Sequence, residues 1–255
     1  MKISTVILTK NEEKNLERAI KSALFSDEIV VIDDFSQDNT INIAKKHGVI
    51  VYQRKLDGDF ASQRNFGLEK SRGDWILFID ADEQVSDGLA QEIKRAVNSD
   101  LQNDVYYIKR RDFWWGRELK YGETKKVRDE GLIRLVKKNS GQWKGIVHEV
   151  FQTSGHSGKL ESFLNHYPHP TLSEFIAKIN RYSSLRAKQL YKEGKKSSIC
   201  QIIFFPLAKF IVNYFINLGF LDGPAGFSYA FLMSFHSFLV RSKLYQYQNL
   251  DQNGS

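Results

Sequence analysis

The chain has 255 residues, 42% of them hydrophobic and 26% charged, which suits one or two packed domains and excludes a disordered or fibrous protein. Its 37 Lys and Arg against 30 Asp and Glu leave a formal charge of +7, so an anionic partner is expected: nucleic acid, a phosphorylated small molecule or an acidic membrane surface. The single cysteine, Cys200, cannot close an internal disulfide, and the apolar run at 3–8 is too short for a signal-peptide core; a cytoplasmic location is expected.

Short β-branched runs at 3–8, 29–32, 49–52 and 75–79 read as strands buried on both faces, as in a parallel sheet. Helical patterns alternate with them. Leu16, Ala19, Ile20, Ala23 and Leu24 recur at spacings of three and four. Asp38 is placed to cap the next helix, with Ile41 and Ala44 inward and Gly48 at its end. A third helix is predicted over 61–71 and a fourth from Ser86, burying Leu89, Ile93, Ala96 and Val97. Strand alternating with helix predicts a doubly wound α/β sheet.

After Asp100 the pattern changes. Strands are predicted at 105–109 and 132–136 with no helical pattern between them, in a region rich in aromatic and basic residues, among them Arg110, Trp114, Trp115 and Arg128. This reads as a mixed-sheet extension. Residues 172–192 are again helical, with a basic face, and 199–247 are rich in Phe, Ile, Leu and Tyr, broken by "DGPAG" at 222–226. The expected organisation is a main α/β domain over 1–170 (halves 1–100 and 101–170), a basic helix over 171–198 and an amphipathic helical hairpin over 199–248.

In open α/β sheets, ligands bind beyond the carboxyl ends of the strands. Here three of the four strand ends finish in polar residues: Thr9, Lys10, Asn11 and Glu12; Asp33 and Asp34; Asp80, Asp82 and Glu83. Strand alternation points Asp80 and Asp82 the same way. Two such charges roughly 5 Å apart repel by about 3 kcal/mol at an effective dielectric near 20. A bound Mg²⁺ or Mn²⁺ would turn that repulsion into attraction. Each group alone is also the chemistry of a solvated turn or a helix cap; their coincidence on one edge is what points to a site. Gln63, Arg64 and Asn65 open the third helix, where Arg64 could reach a phosphate.

The segments "VILTKNEEKNLERAIKSAL", "EIVVIDDFSQDNT", "SQRNFGLEKSRGDWILFIDADE" and "WKGIVHE" together resemble glycosyltransferase family 2, in particular the bacterial glucosyltransferases of lipopolysaccharide core assembly. The likeness is strong over about 2–100 and looser toward the C-terminus. It implies a GT-A type fold: a doubly wound nucleotide-binding sheet with a mixed-sheet acceptor region, here followed by C-terminal amphipathic helices. It also implies roles. Thr9 and Glu12 would line the nucleotide pocket, Asp34 would accept from the base, and Arg64 would hold base or phosphate. Asp80 and Asp82 would be the DxD motif, the first near ribose and metal, the second on the cation that bridges the diphosphate. Arg134, in a segment like the family's "LRL", would meet the diphosphate, or else face solvent from its strand. Many relatives carry a tyrosine at the first strand end that faces the base; this sequence has Thr-Lys-Asn-Glu there.

Inversion at an anomeric carbon needs a base for the acceptor hydroxyl. The resemblance favours Glu149 of "GIVHEV", with Glu83 as second choice; without it, His148 and Glu149 would pass as strand decoration. Of His166 and His169 in "NHYPHP", the resemblance suggests that His166 completes a metal shell. Zinc is not expected, since there is neither a cysteine cluster nor an HExxH pair.

The expected enzyme is therefore an inverting, Mg²⁺- or Mn²⁺-dependent hexosyltransferase. It would move glucose, as first guess, from a UDP-sugar to a lipid-linked or lipopolysaccharide-type acceptor. A nucleotidyltransferase could share the sheet and aspartates but would carry a Gly-rich loop after the first strand. A nucleic-acid-binding protein fits the charge, yet no RRM, KH or zinc-finger pattern occurs. A binding-only descendant of the transferase fold is the remaining alternative. In 199–221, Pro206, Lys209, Asn213 and Asn217 form one polar stripe. A central lysine costs about 3 kcal/mol to insert, so a hairpin lying in an anionic membrane surface is expected rather than a span, the competing reading being that its faces pack on the catalytic domain or on another subunit. Ser234, Ser237 and Arg241 would oppose Phe231, Phe235, Phe238 and Leu239 in its second half. Lys178, Arg181, Arg186, Lys188, Lys192, Lys195 and Lys196 would attract acidic lipid, giving a peripheral location at the inner face of the cytoplasmic membrane.

Overall fold

A computed structural model describes residues 1–99, 102–145, 149–168 and 171–252. His148 and His169 lie outside the described residues. In chain order the elements are β1 (Ile3–Thr9), α1 (Leu16–Ala23), β2 (Glu28–Asp33), α2 (Thr40–Lys46), β3 (Ile50–Gln53), α3 (Phe60–Lys70), β4 (Trp75–Asp80), β5 (Glu83–Val85) and α4 (Asp87–Asn98). There follow β6 (Asn103–Trp114), β7 (Arg117–Leu119), α5 (Lys125–Glu130), β8 (Leu132–Lys137), β9 (Gly141–Lys144), β10 (Val150–Thr153), β11 (His156–His166), α6 (Leu172–Lys192), α7 (Ile199–Ile211) and α8 (Gly223–Gln252). They form two compact units: Met1–Arg111 with Val127–His166, and Asp112–Lys126 with the chain from Tyr167 onward.

The first unit is built on a sheet of order β3-β2-β1-β4-β8-β6-β11-β5. The β2–β1–β4 centre is parallel, with Leu8 opposite Asp80 and Thr9 opposite Asp33, so the polar strand ends share one edge. Val6, Ile7, Val30–Ile32 and Ile76–Ile79 are fully buried, and their alternation feeds separate cores on the two faces. β3 differs from the expectation of burial on both faces: as the edge strand it is only half-buried.

The helices follow their sequence signals. Leu16, Ala19, Ile20 and Ala23 are buried along α1. Asp38 lies one residue before the N-cap, Asn39, and its carboxylate accepts from Thr40 N at 3.0 Å; Ala44 is buried, and Ile43 packs on the core whereas Ile41, expected to face inward, is only half-buried. Asp59 caps α3 by accepting from Ser62 N at 2.8 Å, and Ser86 caps α4 through Leu89 N. Gly67 lets α3 lie directly on β1: a Cβ there would meet Val6 Cγ1 at 2.6 Å.

Between β6 and β8, where no helical pattern is read, the chain forms the short α5 after a 3₁₀ turn at Gly122–Thr124. α5 buries no side chain, so it leaves no apolar period to detect.

In the second unit the end of β6 pairs with β7, Trp114 opposite Arg117. Trp114 is 1% exposed and packs with Phe175 and Ile179 of α6 and Ala225 and Leu232 of α8. α7 runs into a π-helical turn at Val212–Ile216 and a 3₁₀ turn at Gly219–Asp222. The helical path breaks first at Leu218, whose φ is +60°, and again where "DGPAG" is expected to break it, at Gly223, whose φ is +64°. Pro224 falls in the first turn of α8, where its missing N–H leaves no helical bond unmade.

Candidate active site

The site lies on the first unit, at the edge where β1, β2 and β4 end. Past β1, Asn11 N donates to Ser36 Oγ and Asn11 Oδ1 accepts from Gln37 N, both at 2.8 Å, which ties the loops after β1 and β2 together. Asp33 is consumed by this scaffold: it accepts from the Ser36 hydroxyl, from Ser36 N and from Gln53 Nε2. Asp34 is buried, accepting from Leu56 N at 3.0 Å and from Lys10 Nζ at 2.6 Å. Glu12 accepts from Asn15 Nδ2 at 2.8 Å and its own N–H donates to Thr40 Oγ1. The Thr9 hydroxyl is buried with no partner. Such an orphaned group is what a bound ligand would satisfy.

Phe35, which the sequence reading passed over, follows Asp34 directly. It is 49% exposed and holds a φ of +50°, a conformation uncommon for a bulky residue and frequent at ligand sites. The signal was present: an aromatic placed between two acids and a turn has no core to enter.

The acidic end of β4 is held by arginines. Arg64, from the first turns of α3, donates from Nη2 to Asp80 Oδ1 at 3.1 Å and from Nε to Glu149 Oε1 at 2.9 Å. Its guanidinium lies over the rings of Trp143 and Phe78, 5.2 and 5.8 Å from their centroids. Arg134 of β8 donates from Nη2 to Asp80 Oδ2 at 3.0 Å and to Glu83 Oε1 at 2.8 Å. Arg110 of β6 reaches the same Glu83 oxygen at 3.4 Å. Asn65, next to Arg64, exchanges hydrogen bonds with the backbone of Trp143 at 2.8 and 2.9 Å. That clamp fixes β9 against α3 and so sets where the chain leading to Glu149 begins.

Asp80 is 35% exposed at its side chain, so desolvation pushes its carboxyl up only in part; the Arg134 and Arg64 guanidiniums outweigh it and hold the group well below the usual carboxylate range. Burial alone would push Arg134 down, but Glu83 and Asp80 more than reverse this and keep it charged. The Asp80–Asp82 repulsion inferred from the sequence is thus already offset by protein cations. Glu83 is fully buried, and besides both arginines it accepts from Asp80 N at 2.9 Å. A carboxylate so occupied holds the edge in shape and does not serve as a base.

Arg64, Asp80, Arg134 and Glu149 therefore meet in one network. Asp82 and His166 meet in another: β11 pairs with β5, His166 opposite Glu83, and His166 Nε2 lies 3.4 Å from Asp82 Oδ2. Arg110 was missed as a site residue. It continues past the end of the apolar run on the parity of Tyr106 and Ile108, the same apolar-then-polar signature that marked the other strand ends.

A divalent cation fits this edge in a limited form. Among the described residues no group of three or more His, Cys, Asp or Glu side chains is arranged to hold a metal. Asp82 and His166 offer one oxygen and one nitrogen donor, while both Asp80 oxygens face guanidiniums. Such a donor set suits a hard cation that takes its other ligands from a substrate diphosphate and water.

A parallel α/β sheet with an antiparallel extension, ending in acids and buried arginines at one strand edge, defines a nucleotide-sugar-type GT-A fold. Residues 4–151 match the profile of "Glycosyl transferase family 2". An uncharacterised glycosyltransferase of Rickettsia typhi (strain ATCC VR-144 / Wilmington) is 32% identical over 258 residues, covering 95% of this chain and 86% of that protein. The lipopolysaccharide core biosynthesis glycosyltransferase LpsC of Rhizobium meliloti (strain 1021) is 29% identical over 252 residues, covering 96% of this chain and 92% of its own length. The crystal structure of S. aureus TarS 1–349 in complex with UDP-GlcNAc is similar with a TM-score of 0.51 at 14% identity, over 98% of this chain and 92% of that one. The chain belongs to glycosyltransferase family 2 and is an enzyme of that family.

Proposed function

We propose that the protein transfers a hexose, glucose being the first to test, from a UDP-sugar to a hydroxyl of a lipopolysaccharide-type or other lipid-linked glycan, with inversion at the anomeric carbon. The observation that supports this reading is the Arg64 bridge between Asp80 and Glu149, a buried guanidinium beside a carboxylate; in this reading the first meets the diphosphate and the second acts as base. The likeness to LpsC supports the acceptor class, and the UDP-GlcNAc complex of TarS supports the donor class.

The chain's own groups suit the parts of such a donor. Asp34 and Glu12 stand where the base and ribose would lie, and Phe35 offers the flat apolar surface that the missing tyrosine would otherwise give. The Thr9 hydroxyl, Arg64 Nη1 and Arg134 Nε are buried without partners, and each would gain one from a bound nucleotide diphosphate. A divalent cation held at Asp82 and His166 would supply Lewis-acid stabilisation of the charge growing on the leaving diphosphate. Glu149 takes the proton of the acceptor hydroxyl as that oxygen bonds to the anomeric carbon and the bond to the diphosphate breaks. Arg64 keeps Glu149 placed for that transfer and meets the departing phosphate.

The test is a panel of UDP-sugars with a truncated lipopolysaccharide acceptor, with and without Mn²⁺, followed by NMR of the product. Transfer from an α-linked donor should give a β-linkage. An α-linked product, or no transfer from any UDP-sugar, overturns the proposal.

A further inference from the structure

The second unit carries an apolar face turned outward. Along α7 and the turn after it, Ile203, Phe204, Leu207, Ile211, Phe215 and Ile216 are 50–66% exposed. Phe231 of α8 is 55% exposed as well. Residues 199–216 have a mean hydropathy of 1.8 and only 6% of them are buried, so by length and composition this segment could cross a bilayer. Its other side argues for a different placement. Lys209 Nζ and Asn213 Nδ2 donate to the two oxygens of Glu123 at 3.0 and 3.1 Å, and Ser234 Oγ of α8 donates to Pro206 O at 2.6 Å. Crossing the membrane would break these bonds and take a lysine into hydrocarbon. Lying in the membrane plane keeps them all.

The face also has a cationic margin. Lys192, Lys195 and Lys196 are exposed just before α7. The Arg241 guanidinium sits 4.5 Å above the ring of Phe205, and burial together with the nearby Arg186 disfavours its charge. Among the described residues no carboxylate is paired with either arginine. Two uncompensated cations beside an exposed aromatic surface match an anionic headgroup above acyl chains. A second copy of the chain would bring the same cations to the same margin.

We propose that this face docks on an anionic lipid bilayer, with α7 in the plane of the membrane, its phenylalanines below the headgroups and Arg186, Arg241 and the three lysines at phosphate level. The test is flotation of the full chain with vesicles of phosphatidylcholine alone or with one-third phosphatidylglycerol. Binding should be about tenfold or more tighter to the anionic vesicles and weaken in high salt. Phe204→Ser with Phe215→Ser should abolish flotation without lowering the melting temperature, since both side chains are more than half exposed. Lys195→Glu with Lys196→Glu should remove most of the preference for phosphatidylglycerol. The proposal is overturned if the chain does not float with anionic vesicles, if it binds neutral ones equally, or if the phenylalanine pair leaves binding unchanged. A dimer in light scattering that the same pair dissociates, without vesicle binding, would assign the face to a second copy. None of these readouts uses sugar transfer, so they stand apart from the catalytic reading.

Discussion

Arg64 donates to Glu149 and Asp80 at once, one guanidinium joining the end of β4 to the chain entering β10. Its side chain is 4% exposed, whereas Glu149 keeps 16% and Asp80 35%. Removing one partner of a buried ion pair costs about 3–5 kcal/mol, and the exposure of Asp80 puts this case at the low end. Arg64→Ala should lower stability by roughly that amount and weaken nucleotide binding. Arg64→Lys should regain only part of the stability, because a lysine cannot span both carboxylates, and should not regain affinity, because it lacks the fork that meets a phosphate. Urea melts and UDP titration calorimetry check the pair.

Glu149→Gln keeps the shape and the acceptor for Arg64 Nε while losing the basic oxygen. Turnover should fall by about 10²–10⁴-fold with donor affinity nearly unchanged. Near-normal turnover in this variant would remove Glu149 from the role of base.

Phe35 should behave as a base platform. Phe35→Ala is expected to weaken UDP binding by about 1–3 kcal/mol, the range for aromatic–base stacking, and to leave the melting temperature of the free protein nearly unchanged, since the residue is 49% exposed and alanine keeps the same Cβ in the left-handed region. Equal UDP affinity in the variant would take Phe35 out of the nucleotide pocket.

Chelation should abolish transfer and Mn²⁺ restore it, while Asp82→Asn and His166→Ala raise the Mn²⁺ concentration needed for half activity. In thermal-shift experiments, UDP at a hundred times its dissociation constant should stabilise the protein by about 2.7 kcal/mol. Full activity in a chelator would refute the metal requirement.

The lowered Asp80 pKa fixes the sign of one pH effect. A carboxyl held below its ordinary value of about 3.9 contributes its full stabilisation above that pH and loses it as the pH falls toward the folded-state value. The wild type should therefore lose urea stability below about pH 4 more steeply than Asp80→Asn. Parallel slopes in the two proteins would contradict the ion-pair assignment.

Much of this was legible in the sequence because burial and charge alternate locally. The β-branched runs placed β1, β2 and β4 within a residue or two, and the helical pattern placed α6 at Leu172–Lys192. Partnership was harder to read. That Arg64 would meet Glu149, or His166 meet Asp82, depends on the β9 and β11 pairings, and no local pattern encodes which distant strand arrives. The left-handed turn at Leu218 escaped for a related reason: a non-glycine residue in that region looks like any other apolar position, whereas "DGPAG" marks its own break, with Gly223 at a φ of +64° and Pro224 opening α8. Phe235 and Leu239 pack on the Trp114 cluster while Phe231 and Phe238 face outward, so the single phenylalanine face expected on α8 is split by tertiary packing.

The antiparallel pairing of β11 with β5 has a consequence for biosynthesis. A nascent chain that has left the ribosome as far as β5 already carries the sequence of its parallel strands and of its acidic edge, yet Arg134, Glu149 and His166 are still to be made. Until β8 emerges, Asp80 lacks one of its two countercharges. The network of carboxylates and arginines at the strand edge is thus among the last parts of the first unit to be completed.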